Sequence, residues 1–242
     1  MRRIILIFCL FTLAGAVNAQ EDVSGVQRAI DGYVEAKGGI RSLMLLSSIR
    51  VEGVQIQEDE VFDFILHKKR PWSFRYRISR GSTLMVVCGY NGRTGWQRTD
   101  VGGETEIEVL SGARLLALRD EARFESPLLR SLRDRSIKIF HSGTDRIDGV
   151  TVEVLEVHEV NHPRTRYFIS AQSGHLLKRE RMNGDGTVGL ISYYRNYRRV
   201  DGYLFAFEVE NRLGDATVAL IQIKTIETNP GLLSFYFEKP RG

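Results

Sequence analysis

The chain has 242 residues and a formal charge of +4, with its basic residues scattered rather than gathered into a block; that pattern argues against a nucleic-acid-binding surface. Of its two cysteines, Cys9 lies in an N-terminal apolar run and Cys88 stands in the middle of the chain, so removal of the first segment would exclude an intrachain disulfide. No Asn-x-Ser/Thr triplet is present.

Met1-Arg2-Arg3 is followed by apolar residues from Ile4 to Phe11 and small residues from Ala14 to Ala16, with Val17 and Ala19 placed as at a signal-peptidase site. This order of basic, apolar and small residues predicts a secretory leader cut before Gln20. The run is shorter than the roughly 20 residues that span a bilayer. The expected division is a leader over 1–19 and one soluble, secreted domain over 20–242, with a charge of about +2 after cleavage.

Val23, Val26, Ile30 and Val34 recur at helical spacing beside Tyr33, predicting an amphipathic helix capped by Asp22 or Ser24 and ended at Gly38-Gly39. Ile40 to Leu46 form a second short helix or turn. The period then changes to two. Trp72, Phe74, Tyr76 and Ile78 alternate with Ser73, Arg75, Arg77 and Ser79, the pattern of a half-buried strand. Leu84 to Tyr90 form another, ended by the tight-turn pair Asn91-Gly92. Trp96 belongs to the next strand, and Ile107 and Val109 to one more. Residues 112–135 mix seven Leu and Phe residues with many charges and read as two short helical segments broken near Ser126-Pro127. Strands return from Ile137, separated by Asp148-Gly149, Asn161-His162-Pro163, Ser173-Gly174, Asn183 to Gly186, Asp201-Gly202 and Gly214-Asp215. Ten or eleven short strands at this spacing predict an antiparallel sheet of hairpins.

Two motifs match in letters only. His158-Glu159-Val160-Asn161-His162 spells H-E-x-x-H, but zinc chemistry needs both imidazoles on one helical face; here a strand-like run precedes and Pro163 follows. Gly184 to Gly189 spells G-x-G-x-x-G, but Leu190 to Tyr197 do not read as the helix that a dinucleotide site requires. Neither G-x-S-x-G nor a P-loop occurs. The expectation is a non-enzyme without cofactor or metal, with a hydrolase using His158 or His162 as a rival. Cys88 is expected to be a small buried hydrophobe.

Several turn and packing segments together resemble the LolA-like outer-membrane lipoprotein-sorting proteins. They are Ala36 to Ile40 leading into Leu46 to Gly53, Arg70 to Arg75, Tyr90 to Trp96, Ser126 to Leu129, Ile147 to Gly149 and Tyr167 to Ser170. Tyr194 to Tyr197 with Val200 to Phe205, and Asn229 to Pro240, complete them. The resemblance implies a mainly β fold with a few helices: a single curved antiparallel sheet forming an unclosed β-barrel covered by helices. It also implies a periplasmic carrier of lipoprotein acyl chains or another lipid, working as a monomer between an inner-membrane transporter and an outer-membrane acceptor. No individual functional residue is carried over from the family. A lipid- or partner-sensing envelope domain on the same fold is the alternative.

A half-open barrel would bind tails through large apolar side chains. The candidates are Trp72, Phe74, Tyr76 and Ile78 on one strand, Met85 and Val87 on the next, and Trp96. Leu128 and Leu129 are candidates on the helical lid, and Val152, Val154, Tyr167 and Ile169 on the continuing wall. For each, a place in a filled core is the competing reading.

Overall fold

The computed structural model describes residues 15–240 other than 102, with side chains from Ser24 onward except at position 101. Residues 1–14 of the expected leader therefore lie outside the described residues. The chain opens with α1 (Gly15–Ala36) and α2 (Gly39–Leu45). The first helix starts earlier than its expected caps. Asp22 and Ser24 lie within it because Gly15 to Glu21 already follow the helical path, and Ser24 accepts a hydrogen bond from Arg28 one turn on (3.1 Å). Its end is as expected: Gly38 and Gly39 have φ of 116° and 80°, where a Cβ is disfavoured.

Six strands follow: β1 (Ser48–Gln57), β2 (Glu60–Lys69), β3 (Ser73–Arg80), β4 (Thr83–Asn91), β5 (Gly95–Val101) and β6 (Glu104–Val109). Next come α3 (Gly112–Ala122) and α4 (Pro127–Arg130), the latter capped by the Ser126 hydroxyl accepting from the Leu129 N–H at 3.4 Å. The remaining strands are β7 (Lys138–Ile147), β8 (Val150–His158), β9 (Thr165–Ser170), β10 (Leu176–Met182), β11 (Val188–Val200), β12 (Tyr203–Leu213) and β13 (Ala216–Thr228). A 3-10 turn over Ser234–Phe237 comes last. Among the described residues, no helix is long and apolar enough to cross a membrane.

All thirteen strands form one antiparallel sheet, ordered β6-β5-β4-β3-β2-β1-β13-β12-β11-β10-β9-β8-β7. Every neighbour is a hairpin partner except β1 with β13, which joins the two halves. The edges β6 and β7 do not pair, so the barrel is unclosed, and the chain between them carries α3 and α4 across the inner face. The two strands beyond the expected eleven are β1 and β2. Their turn, Glu58-Asp59, has φ of 48° and 65°, the two positive values of a tight hairpin achieved without the Asn or Gly that usually marks one.

The inner face is covered unevenly. Over β7 to β9, α1, α2 and α4 close a filled core in which Ile30, Tyr33, Val34, Leu128 and Leu129 pack on Leu155, Val157, Tyr167 and Ile169. Over β3 to β5, α3 presents only Leu115, Leu118 and Ala122 to Phe74, Tyr90 and their neighbours. Outer-face clusters also exist. Val152, Val154 and Phe168 pack together on the side away from α1. The 3-10 turn seals the outside of β3 to β5, where the Trp96 indole N–H donates to the Phe237 carbonyl at 2.9 Å. Gly89 is required beneath that ring, since a Cβ there would meet it at 2.5 Å.

Candidate functional site

Where the inner face passes from β3 across β1 to β12, a hollow of about 660 Å³ remains between α3 and the sheet. That volume lies within the roughly 300–1,000 Å³ of small-molecule sites. Strand alternation supplies its floor. Val51 faces inward from β1, Phe64 and Leu66 from β2, and Phe74 and Tyr76 from β3. Phe205, Val209, Ile221, Ile223 and Ile226 supply the floor from β12 and β13, and Ala117 and Leu118 of α3 form the roof. Polar groups are few. Tyr76 donates to Gln55 Oε1 at 2.8 Å, and burial pushes its phenol well above the usual range. The Cys88 thiol lines the hollow half-buried and free, raised to about 11 by burial; such a thiol is protonated and inert at neutral pH.

Beside the hollow lies a polar chamber of about 350 Å³ lined by Lys68, Glu121, Tyr33, Tyr167, Arg179 and Tyr194, among others. Glu121 borders both spaces, and Tyr194 stands opposite Val209 across the β11–β12 ladder. The two spaces therefore share a wall.

The lid is tied down by ion pairs at its α3–α4 junction. Glu159 receives Arg123 and, at 2.7 Å, Arg130. Glu125 receives Arg70 and Arg133. Burial alone would raise the Glu159 carboxyl, but the hydrogen bonds from Arg130 and Arg123 outweigh it and hold it below the usual carboxylate range. His162 joins the same knot, with Nδ1 at 3.1 Å from Asp120 and Nε2 at 2.7 Å from Arg123. The H-E-x-x-H letters thus sit on the end of β8 and the following turn. His158 pairs instead with Glu156 at 2.6 Å, so the two imidazoles engage different partners.

The nominated residues divide. Phe74 and Tyr76 line the hollow. Ile78 shares their face farther along β3, half-buried, and Trp72 packs at the hollow's lid end with Arg123 over its ring at 5.7 Å. Leu128 is fully buried in the filled core, while Leu129 borders a smaller space of about 190 Å³. Tyr167 lines the polar chamber, and Ile169 lies at the α1 edge.

Met85, Val87 and Trp96 point to the outer face. Cys88 pairs with Tyr76 and Gln97 facing inward, so their sequence neighbours in the ladder face out. Val152 and Val154 face outward likewise. The apolar character of β4 on both faces concealed this, because the 3-10 turn makes the outside a second core. Sequence reasoning passed over Val51, Phe64, Leu66, Phe205, Val209, Ile221 and Ile223. Their period-two spacing within β1, β2, β12 and β13 is the signal that could have found them.

No family model and no curated protein sequence matches the chain. Solved structures do. An outer-membrane lipoprotein-sorting protein domain from Vibrio parahaemolyticus superposes with a TM-score of 0.62 at 12% identity, covering 91% of this chain and 97% of that one. A DUF1329 family protein from Desulfovibrio piger gives 0.60 at 13% identity, covering 88% and 97%. A LolA superfamily protein from Nitrosomonas europaea gives 0.57 at 13% identity, covering 90% and 97%. The fold is LolA-like.

Proposed function

We propose that this chain is a non-enzymatic periplasmic carrier that shields an acyl chain of a lipoprotein or another lipid from water, after loss of a leader over residues 1–19. The observation carrying the reading is the apolar hollow of about 660 Å³ under α3, beside a core that α1, α2 and α4 pack closely. Each methylene moved from water into it contributes about 0.8 kcal/mol, and α3 meets the sheet through few side chains. The likeness to lipoprotein-sorting and LolA superfamily structures supports the same reading. A transporter that loads the carrier and an acceptor that unloads it are part of the proposal.

The test is titration of lipid-free protein with a fluorescent acyl probe. Saturable one-to-one binding is expected, abolished by Ile223→Trp, which fills the hollow. Absence of uptake by folded wild-type protein would defeat the reading.

A further inference from the structure

The polar chamber is bordered by two cations, Arg179 and Lys68, that have no ion-pair partner among the described residues. Arg179 faces inward from β10, opposite Tyr167 on one side and Ser192 on the other. Its guanidinium makes no hydrogen bond or ion pair with any described residue, although it is half-buried. An arginine stays ionised in any such setting, and a charge withdrawn from water is costly without a partner. Lys68 enters from β2, its Nζ 5.8 Å from the centre of the Phe74 ring and 3.4 Å from the Arg123 carbonyl oxygen, with no carboxylate in ion-pair contact among the described residues. The Tyr167 hydroxyl likewise has no hydrogen-bond partner there.

The carboxylates around the chamber are committed elsewhere. Glu159 holds Arg123 and Arg130, Glu125 holds Arg70 and Arg133, and Asp120 holds His162. Glu121 remains, exposed at the border with the hollow; its charge acts on both Arg179 and Lys68 from a distance, without an ion-pair contact to either among the described residues. Two cations and a hydroxyl donor thus converge on a space that opens beside a hydrocarbon-sized hollow.

We infer that the inner face is a two-part site for an anionic amphiphile: its tail occupies the hollow under α3, and its phosphate or carboxylate is held by Arg179 and Lys68 with the Tyr167 hydroxyl. This rests on the carrier reading and adds the charge of the headgroup. A forked guanidinium suits an oxyanion, and the low-dielectric wall strengthens the attraction.

The test compares a fluorescent stearic acid with its methyl ester at neutral pH, on lipid-free wild-type protein and two variants. The acid is expected to bind about tenfold or more tightly than the ester. Arg179→Gln should bring the acid down to the ester's affinity while leaving the ester nearly unchanged, and Arg179→Lys should restore part of the preference. Glu121→Gln, on an exposed helical position, should tighten the acid further. Equal binding of acid and ester by wild type, or a parallel loss of both in Arg179→Gln, would overturn the inference and leave the carrier reading standing. Binding of neither probe would remove the carrier reading and this inference with it. Arg179-dependent saturation by inorganic phosphate alone, read by calorimetry, would assign the chamber to a free anion and overturn the headgroup assignment.

Discussion

The two halves of the inner face are built from the same alternating strands and end differently because of what covers them. Over β7 to β9, α1 lays Ala29, Ile30, Tyr33 and Val34 into the sheet, α4 adds Leu128 and Leu129, and these side chains pack into a core that leaves only smaller spaces beside Tyr33, Leu129 and Tyr167. Over β1 to β4, α3 brings Leu115, Leu118 and Ala122 against one edge only, and Phe64, Ile221 and Ile223 look onto open volume. A sheet face does not specify a binding site by its own composition. The number and size of side chains the opposing helix delivers decide between core and cavity.

The largest effect is expected on the outside of the hollow half. Trp96→Ala should cost about 3–5 kcal/mol in denaturant unfolding, as for other buried aromatic truncations, since Trp96 is wholly buried against the 3-10 turn. Acyl-probe affinity should stay unchanged, because the ring faces away from the hollow; a matching loss of affinity would place it in the site after all.

A pair of truncations reads the comparison itself. Leu155→Ala in the filled half should cost about 3 kcal/mol, part of it the new cavity. Ile223→Ala should cost about 1 kcal/mol, because its side chain already borders empty space and loses only half-buried area. Equal costs would mean the hollow closes up in solution.

A separate effect is a pH slope from His67, buried on the outer face beneath Tyr236. Burial, with Arg50 and Arg75 nearby, lowers its pKa from 6.5 to about 4. Between those values the unfolded chain binds the proton and the folded chain does not, so stability is full above 6.5 and declines as pH falls toward 4. His67→Gln should flatten that part of the stability profile; an unchanged slope would assign it to other groups.

Much of the architecture was legible in the sequence. The turns at Asn91-Gly92, Asp148-Gly149 and Asp201-Gly202 announce themselves chemically, and Ser126-Pro127 marks the start of α4 as expected. The β1–β2 hairpin was not, because Glu58-Asp59 reaches positive φ without glycine. The site was legible only in part. Alternation gives two faces to each strand but does not say which faces inward. Phe74 and Tyr76 lie on the inner face, in keeping with their charged neighbours Arg75 and Arg77; Met85, Val87, Trp96, Val152 and Val154 lie on the outer face, where alternation gave no warning because apolar cover exists on both sides of the sheet. The lid anchors Glu159 and His162 were hidden inside a misleading motif, since their partners Arg123, Arg130 and Asp120 lie some 30 to 40 residues away.

The most direct test is photo-crosslinking with a fatty acid carrying a diazirine near its methyl end, followed by peptide mapping. The account predicts adducts on α3 and β13, at Leu118, Ile221 or Ile223. Adducts confined to the outer-face residues Met85 and Val154, or spread without preference over the surface, would contradict it.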